Sequence, residues 1–379
     1  MDYNRAMISG ERMAFFDVSR DWVILAPGTP AARTAAAELS RYITLLRKQA
    51  GLDEKAPAIE DAESAAPEDS VPVIILNAGT GSRDRSGFTW RLGRDRLEIY
   101  GDSDRGLCNG VFDFLAALGI RWPEQNAAAV PLEELPPPPA TGAPTLRISD
   151  AGSYPIKNSQ AYIPSDTAPE NRRRRIVQGT MKPRNLDALI KWAAHNRIDA
   201  LVFSLREKAL REKFLKKSRH HRGFEAAEKY ALAIEWGGWD LSLLVPRRYF
   251  FFHRELFRMD SGKRIKQYNF CPTNHETINL LKKQAAAIFR DEAGVYHLWP
   301  DRGEERTWCS CPACRAFSPE EQNRIAVNAA ADALAAIDPH ARLSWYEESG
   351  DSPESEIPLR KNLFRLKELP ESITIEALR

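Results

Sequence analysis

Apolar and polar positions in roughly the first 125 residues alternate between two periods. Asp21–Pro27 (DWVILAP) is a short apolar run closed by turn residues, and predicts a strand. Between Glu38 and Lys48, Leu39, Tyr42, Ile43 and Leu46 recur at helical spacing and define one buried face. Ala56–Ser70, rich in Ala, Pro, Glu and Asp, reads as a surface loop. Val71–Asn77 is continuously apolar, as a strand covered on both faces is. Phe88–Leu92 and Arg96–Tyr100 flank Gly93–Arg94–Asp95 and predict a hairpin. A helix follows with Leu107, Val111, Phe114, Leu115 and Leu118 on one stripe and Gly119 as its stop. Such a β-α-β-β-β-α unit is a layered sheet with helices on one face.

Pro131–Pro144 (PLEELPPPPATGAP) breaks the pattern. Proline lacks the backbone N–H that helix and sheet require, so a semi-rigid linker with few contacts is expected over 131–147. It would separate a small α+β domain, 1–130, from a second domain, 148–379. In the latter, apolar strands alternate with long helical patterns, the signature of a parallel α/β sheet. The predicted strands are Ser159–Ile163, Ala200–Leu205, Ala231–Trp236, Val295–Trp299, Arg342–Tyr346 and Ser372–Leu378. Thr273 with Glu276 has the spacing of a capping box, and Ser318 precedes a proline at the first helical position. Six strands fall short of the eight that close a (β/α) barrel. The expectation is therefore a TIM-type barrel incomplete in this chain, with truncation as the reason.

Composition narrows the classes. At 379 residues, 43% hydrophobic and 28% charged, the chain is an ordinary globular one with more than one core. A net charge of +2 argues against nucleic acid or an anionic membrane as partner. Arg172–Arg175 is the local exception and reads as a solvated helix start, with an anion or partner contact as the alternative. The first residues hold no secretory apolar core, and no run approaches a membrane span. The expected protein is soluble: cytoplasmic as it stands, or secreted or periplasmic if a leader was removed.

Candidate chemistry sits at the strand ends, since a (β/α) barrel works from the loops after its strand C-termini. Strand three runs into Glu235–Trp236–Gly237–Gly238–Trp239–Asp240. Strand four runs into Trp299–Pro300–Asp301–Arg302, and strand five into Trp345–Tyr346–Glu347–Glu348. Glycoside hydrolysis uses two carboxyl groups, about 5–5.5 Å apart in retaining enzymes and about 6.5–9.5 Å apart in inverting ones. Tryptophan offers a flat face for a sugar ring. Asp301, Glu347 and Glu348 are therefore the candidate catalytic carboxyls. Glu235, Trp236, Trp239, Arg264, Trp299 and Trp345 are candidate substrate contacts. Against this stands the tendency of any barrel rim to collect charged and aromatic residues for packing, or a salt bridge between Arg302 and Asp301.

Cys309–Ser310–Cys311–Pro312–Ala313–Cys314 is a C-x-C-x-x-C. Thiolates this close can share tetrahedral zinc, for which a structural site wants four ligands. Cys271 is the candidate fourth, ahead of His253, His275 and His297. Small buried thiols tightening a loop, or a redox-sensitive cluster, are the alternatives. Cys108 reads as core. There is no G-x-G-x-x-G, P-loop, H-E-x-x-H or G-x-S-x-G, so nucleotide, metalloprotease and serine-hydrolase chemistry lack their motifs.

The stretch Leu97–Asn126, with Arg105–Gly106 opening a helix and Gly119-Ile-Arg-Trp122 closing it, resembles the N-terminal domain of α-glucuronidases and hexosaminidase-type glycosidases. EWGGW (235–239), HRELFRMDSGKR (253–264), FCPTN (270–274) and WCSCPACRAFSPEEQN (308–323) resemble an uncharacterised bacterial family that joins this domain to a glycosidase-like barrel. The resemblance implies a role in polysaccharide breakdown. Two positions depart from the family pattern, since Trp239 and Glu347 stand where it usually has histidine. A glycoside hydrolase-like protein acting on a plant or bacterial poly- or oligosaccharide is the expected function, with no cofactor required and zinc an option. A non-catalytic carbohydrate-binding module, or a structural module built on the cysteine loop, is the alternative.

Overall fold

The computed structural model describes residues 14–63, 71–80, 86–123, 133–136, 153–156, 160–163, 176–179, 186–217, 220–289, 294–301, 307–346 and 355–366. The first part comprises β1 (Ala14–Asp17), β2 (Val23–Ala26), α1 (Pro30–Gln49), β3 (Ala58–Asp61), β4 (Val73–Ala78), β5 (Phe88–Leu92), β6 (Arg96–Gly101), α2 (Asp104–Ala117), β7 (Ser153–Ile156) and β8 (Gln160–Ile163). Its six-stranded sheet has the order β3-β2-β4-β6-β5-β8. Both helices start on side-chain caps. Thr29 accepts from the Ala32 N–H and Ser103 from the Gly106 N–H, each at 3.2 Å. The alanine-rich stripe of α1 and its Leu39, Tyr42, Ile43 and Leu46 are buried against the sheet.

Several expectations change here. Ala58–Asp61, expected as loop, is an edge strand parallel to β2. All four residues are exposed, so no apolar signal marks them. Residues 160–163, expected as the first barrel strand, pair antiparallel with β5 instead. β1 likewise pairs with β7, so the chain beyond the proline-rich segment returns to the first part for two strands. Of that segment only 133–136 is described, and it is fastened. Glu133 accepts from Arg41 at 2.6 Å and from the Tyr42 hydroxyl at 2.8 Å, and Gln49 donates to the Pro136 carbonyl at 2.6 Å. The prolines remove donors, but their neighbours' carboxylates and carbonyls still accept.

The second part comprises β9 (Ile176–Gly179), α3 (Leu186–His195), β10 (Ala200–Phe203), α4 (Lys208–Leu215), α5 (His221–Lys229), β11 (Ala233–Asp240), the ribbon β12 (Met259–Asp260) and β13 (Lys263–Arg264), α6 (His275–Ile288), β14 (Val295–Trp299), α7 (Pro319–Ala335), β15 (Arg342–Tyr346) and β16 (Leu363–Leu366). Six strands form one sheet in the order β9-β10-β11-β14-β15-β16, every pair parallel. Neighbours follow chain order, the singly wound pattern of (β/α) barrels. The sheet is open among the described residues. β9 and β16 were not expected, being only four residues each. Ser372–Leu378 and Arg172–Arg175 lie outside the described residues. The capping box at Ser318 and Glu321 is present. At α6, however, Asn274 rather than Thr273 caps, accepting from the Thr277 N–H at 3.1 Å, because the Thr273 hydroxyl lies 3.1 Å from the Cys314 sulfur.

The two faces of this sheet differ. Leu201, Phe203, Trp236, Tyr296, Leu298, Leu343 and Trp345 pack into the helix-facing core, which continues into the first part. Ala200, Val202, Trp299, Phe364 and Leu366 form a separate cluster on the opposite face. The two parts are joined at α2. Arg105, 1% exposed, donates to the carbonyls of Tyr230 at 3.0 Å and Ile198 at 2.8 Å. Asn109 donates to Asp199 at 3.2 Å. Gly106 lets α2 sit close on its own sheet, since a Cβ there would lie 2.3 Å from the Gly87 carbonyl oxygen.

Candidate active site at the strand C-termini

β11 carries the sequence EWGGWD into the rim. Its ladder with β14 shifts register between Gly237 and Trp239. In a regular strand Trp236 and Trp239 would face opposite sides, yet both are buried in the helix-facing core. The bulge at Gly237–Gly238 makes this possible, with both glycines at positive φ (145° and 71°). Gly237 also packs directly on His297, where a Cβ would lie 2.5 Å from backbone and side chain. The bulged strand is thus extended to Asp240, which pairs with Trp299 at the rim.

Asp301 stands immediately beyond Trp299–Pro300, as proline's inability to continue a ladder predicts. Its Oδ1 accepts from the Ser242 hydroxyl at 2.7 Å. Asn269 brackets its main chain, accepting from the Asp301 N–H at 3.0 Å and donating to the Asp301 carbonyl at 3.4 Å. A guanidinium nitrogen of Arg247 lies 3.9 Å from Oδ1 and also donates to the Tyr268 carbonyl. Burial pushes the Asp301 carboxyl above its ordinary range. The charge of nearby Asp240 adds to this, and the Ser242 hydrogen bond and Arg247 oppose it. Asp240, exposed at the strand end but partly desolvated on its inner side, is also raised, with Arg247 opposing. Asp301 Oδ2, Arg247 Nη1 and Trp239 Nε1 are buried with no hydrogen-bond partner among the described residues. Two carboxyls and a guanidinium thus converge at the ends of adjacent strands with bonding capacity to spare.

Glu235, expected at the rim, lies deeper. Its carboxylate meets His297 Nε2 at 2.8 Å, and His297 Nδ1 meets the Ser344 hydroxyl at 2.8 Å. Trp299 Nε1 donates to the same hydroxyl at 3.2 Å. His297 and Ser344 are fully buried and Glu235 is 3% exposed. This chain of polar groups runs across β11, β14 and β15 inside the sheet. His297 is therefore spoken for by Glu235 and Ser344 and stands away from the cysteines.

The tryptophans offer no open faces. Trp236 packs against Phe203 and Phe214, and Trp345 is flanked by Arg324 and Arg365. Trp239, Trp299 and Trp308 are likewise at most 7% exposed. Arg264 lies away from the rim. It donates to the Phe257 carbonyl at 2.6 Å and is 3.9 Å from the Cys309 sulfur. Glu347, Glu348 and Arg302 lie outside the described residues. Asp240, Ser242, Arg247 and Asn269 were not singled out from sequence. Asp240 had a signal, as the carboxylate at the end of a glycine-bulged strand, whereas the other three carry none of their own.

The four cysteines expected together are together. Cys271, Cys309, Cys311 and Cys314 are all buried, with sulfurs within 4.8 Å of one another. Cys271 lies 3.8 Å from Cys311 and 3.7 Å from Cys314. Hydrogen bonds from the Cys309 and Cys314 thiols push the Cys271 thiol far below its ordinary range. His253 instead sits on the surface beside Glu255, 3.2 Å away. Cys108 is fully buried in α2, and burial pushes its thiol up to about 12.

No protein-family model matches the chain, and no curated protein matches it in sequence. Among solved structures it is similar to the GH20 exo-β-N-acetylglucosaminidase of Vibrio harveyi, at 14% identity and a TM-score of 0.41, over 94% of this chain and 55% of that one. The GH20 β-N-acetylhexosaminidase of Streptomyces coelicolor shows 11% identity and a TM-score of 0.42, over 94% and 66%. The chitobiase of Flavobacterium johnsoniae shows 11% identity and a TM-score of 0.46, over 94% and 52%. The chain thus spans about half to two thirds of the length of these enzymes. No helix among the described residues is long and apolar enough to cross a membrane.

Proposed function

We propose that the chain is part of a glycoside hydrolase acting on a plant or bacterial poly- or oligosaccharide, with Asp301 as the proton-transferring carboxyl. The observation that carries this reading is the state of Asp301. One oxygen is held by Ser242, the other is without a protein partner, and burial beside Asp240 favours the protonated acid. Such a carboxyl can deliver a proton to a glycosidic oxygen and take one back from water. Asp240 then supplies the second carboxylate, which activates the water or attacks the anomeric carbon, as the separation in the sugar-bound state dictates. Glu347 and Glu348 remain candidates for the same role. The partly exposed Arg247 side chain offers an unspent donor at the rim. The reaction calls on side chains alone.

The test is a screen of the full-length gene product on uronic-acid and N-acetylhexosamine glycosides, with Asp301→Asn as control. Turnover lost in the variant with sugar binding retained supports the reading. A wild-type protein that binds oligosaccharides without cleaving them would favour a non-catalytic carbohydrate-binding module, and one that does neither would remove both.

A further inference from the structure

We infer that Cys271, Cys309, Cys311 and Cys314 form a structural tetrathiolate zinc site that pins the loops framing the Asp301 rim. The geometry points to a metal first. Four sulfurs at about 2.3 Å from a tetrahedral zinc are separated from one another by about 3.8 Å. The Cys271–Cys311 and Cys271–Cys314 separations are 3.8 and 3.7 Å, and all four sulfurs fall within 4.8 Å. No disulfide joins any of them. A disulfide would need a sulfur separation near 2.05 Å. Two separate chain segments would have no cause to aim four buried thiols at one point unless something held them there.

The surroundings have the form that a tetrathiolate needs. Zinc with four thiolates carries net negative charge, which hydrogen-bond donors and a nearby cation offset. The Met259 N–H points at the Cys309 sulfur at 3.2 Å, and Arg264 stands 3.9 Å from it. The loop itself is locked by Gln322. Its side chain accepts from the Cys309 N–H at 3.1 Å and donates to the Cys309 and Cys314 carbonyls at 3.1 and 3.3 Å. All four ligand positions are protein sulfurs, so the site is closed and its role is structural rather than catalytic.

Its location explains what it stabilises. Cys271 follows Asn269, the residue that brackets Asp301, and the Asn269 N–H donates to the Thr307 carbonyl at 3.2 Å. Ser310, between two ligands, donates to the Met259 carbonyl at 2.8 Å through both N–H and hydroxyl. The ribbon 259–264, the segment 269–274 and the loop 307–317 therefore meet at the sulfurs. The metal assignment stands on this geometry whether or not the rim hydrolyses sugars.

Elemental analysis of the purified chain is the test, with expected zinc of about one ion per chain. Native protein should show no rapidly titrating thiol, and all five cysteines should react after denaturation with a chelator. Cobalt exchanged into the site should show the intense absorption of tetrahedral tetrathiolate coordination. Cys311→Ser should lose metal, Cys108→Ser should keep it, and Arg264→Met should weaken metal affinity about 10–100-fold. If Cys311→Ser does not fold, wild-type stoichiometry and the cobalt spectrum still decide. Metal-free protein with four freely titrating thiols, a disulfide among them, or stoichiometric iron in place of zinc would overturn the assignment.

Discussion

Arg105 and Asp301 are both ionisable side chains taken largely out of water, and their surroundings treat them in opposite ways. Both Arg105 Nη groups are engaged by main-chain oxygens, those of Tyr230 and Ile198, and only its Nε is left without a hydrogen-bond partner among the described residues. Tyr230 is the C-cap of α5 and the Ala194 carbonyl in the last turn of α3 lies 3.5 Å from the same guanidinium, so the charge sits at two helix C-termini with favourable polarity. Asp301 has one hydroxyl donor, one oxygen without a protein partner, and a second carboxyl nearby. A charge held by main-chain atoms is a clasp. A charge raised in pKa by burial and a like neighbour, with a bonding site left open, is poised to meet something that is not protein.

The sharpest way to break this contrast is to neutralise each charge in turn. Asp301→Asn should cost about 10²–10⁴-fold in turnover by the full-length protein. Its unfolding midpoint in urea should be at least that of the wild type at neutral pH. Unchanged kcat would move the proton-transfer role to Asp240, Glu347 or Glu348. Arg105→Ala should do the reverse, costing about 3–5 kcal/mol of stability, because main-chain oxygens are left buried without a donor and a cavity opens. A stability loss below ~1 kcal/mol in denaturant titration would show that the clasp is dispensable.

Trp345→Phe separates packing from sugar stacking. Trp345 faces the helices between Arg324 and Arg365, so the variant should lose about 1–2 kcal/mol while KM stays as it was. A KM rise without a stability change would restore Trp345 as a substrate platform. The smallest expected effect is on pH dependence. The folded Asp301 has a raised pKa, so the native state keeps a proton that the unfolded chain releases from about its ordinary value of 3.8. Wild-type stability relative to Asp301→Asn should therefore fall as pH rises from there to the folded pKa, and level off above it. A relative stability that rises with pH over this range would mean that Arg247 outweighs burial.

Local pattern foretold much of this molecule. The apolar runs at 88–92, 295–299 and 342–346 became strands with the expected bounds, since a continuous or alternating apolar run has few other ways to be buried. The C-x-C-x-x-C loop and its distant partner Cys271 could be matched from residue type alone, because few other uses bring four buried thiols together. Proline after Trp299 placed Asp301 on the rim for a local reason, the lost ladder donor. What sequence could not convey is any relation set by partners far along the chain. Ala58–Asp61 is a strand only because β2 offers it an edge, and 160–163 was claimed by β5 rather than by the parallel sheet. Trp236 and Trp239 read as a sugar platform until the glycine bulge turned both into core. Arg264 passed for a substrate contact until the fold set it beside Cys309. Residue types and spacing determined which chemistry was at hand, whereas burial, register and the bulge decided where each group points and which partner it meets. Those depend on distances across the fold, which the order of residues along a chain does not contain.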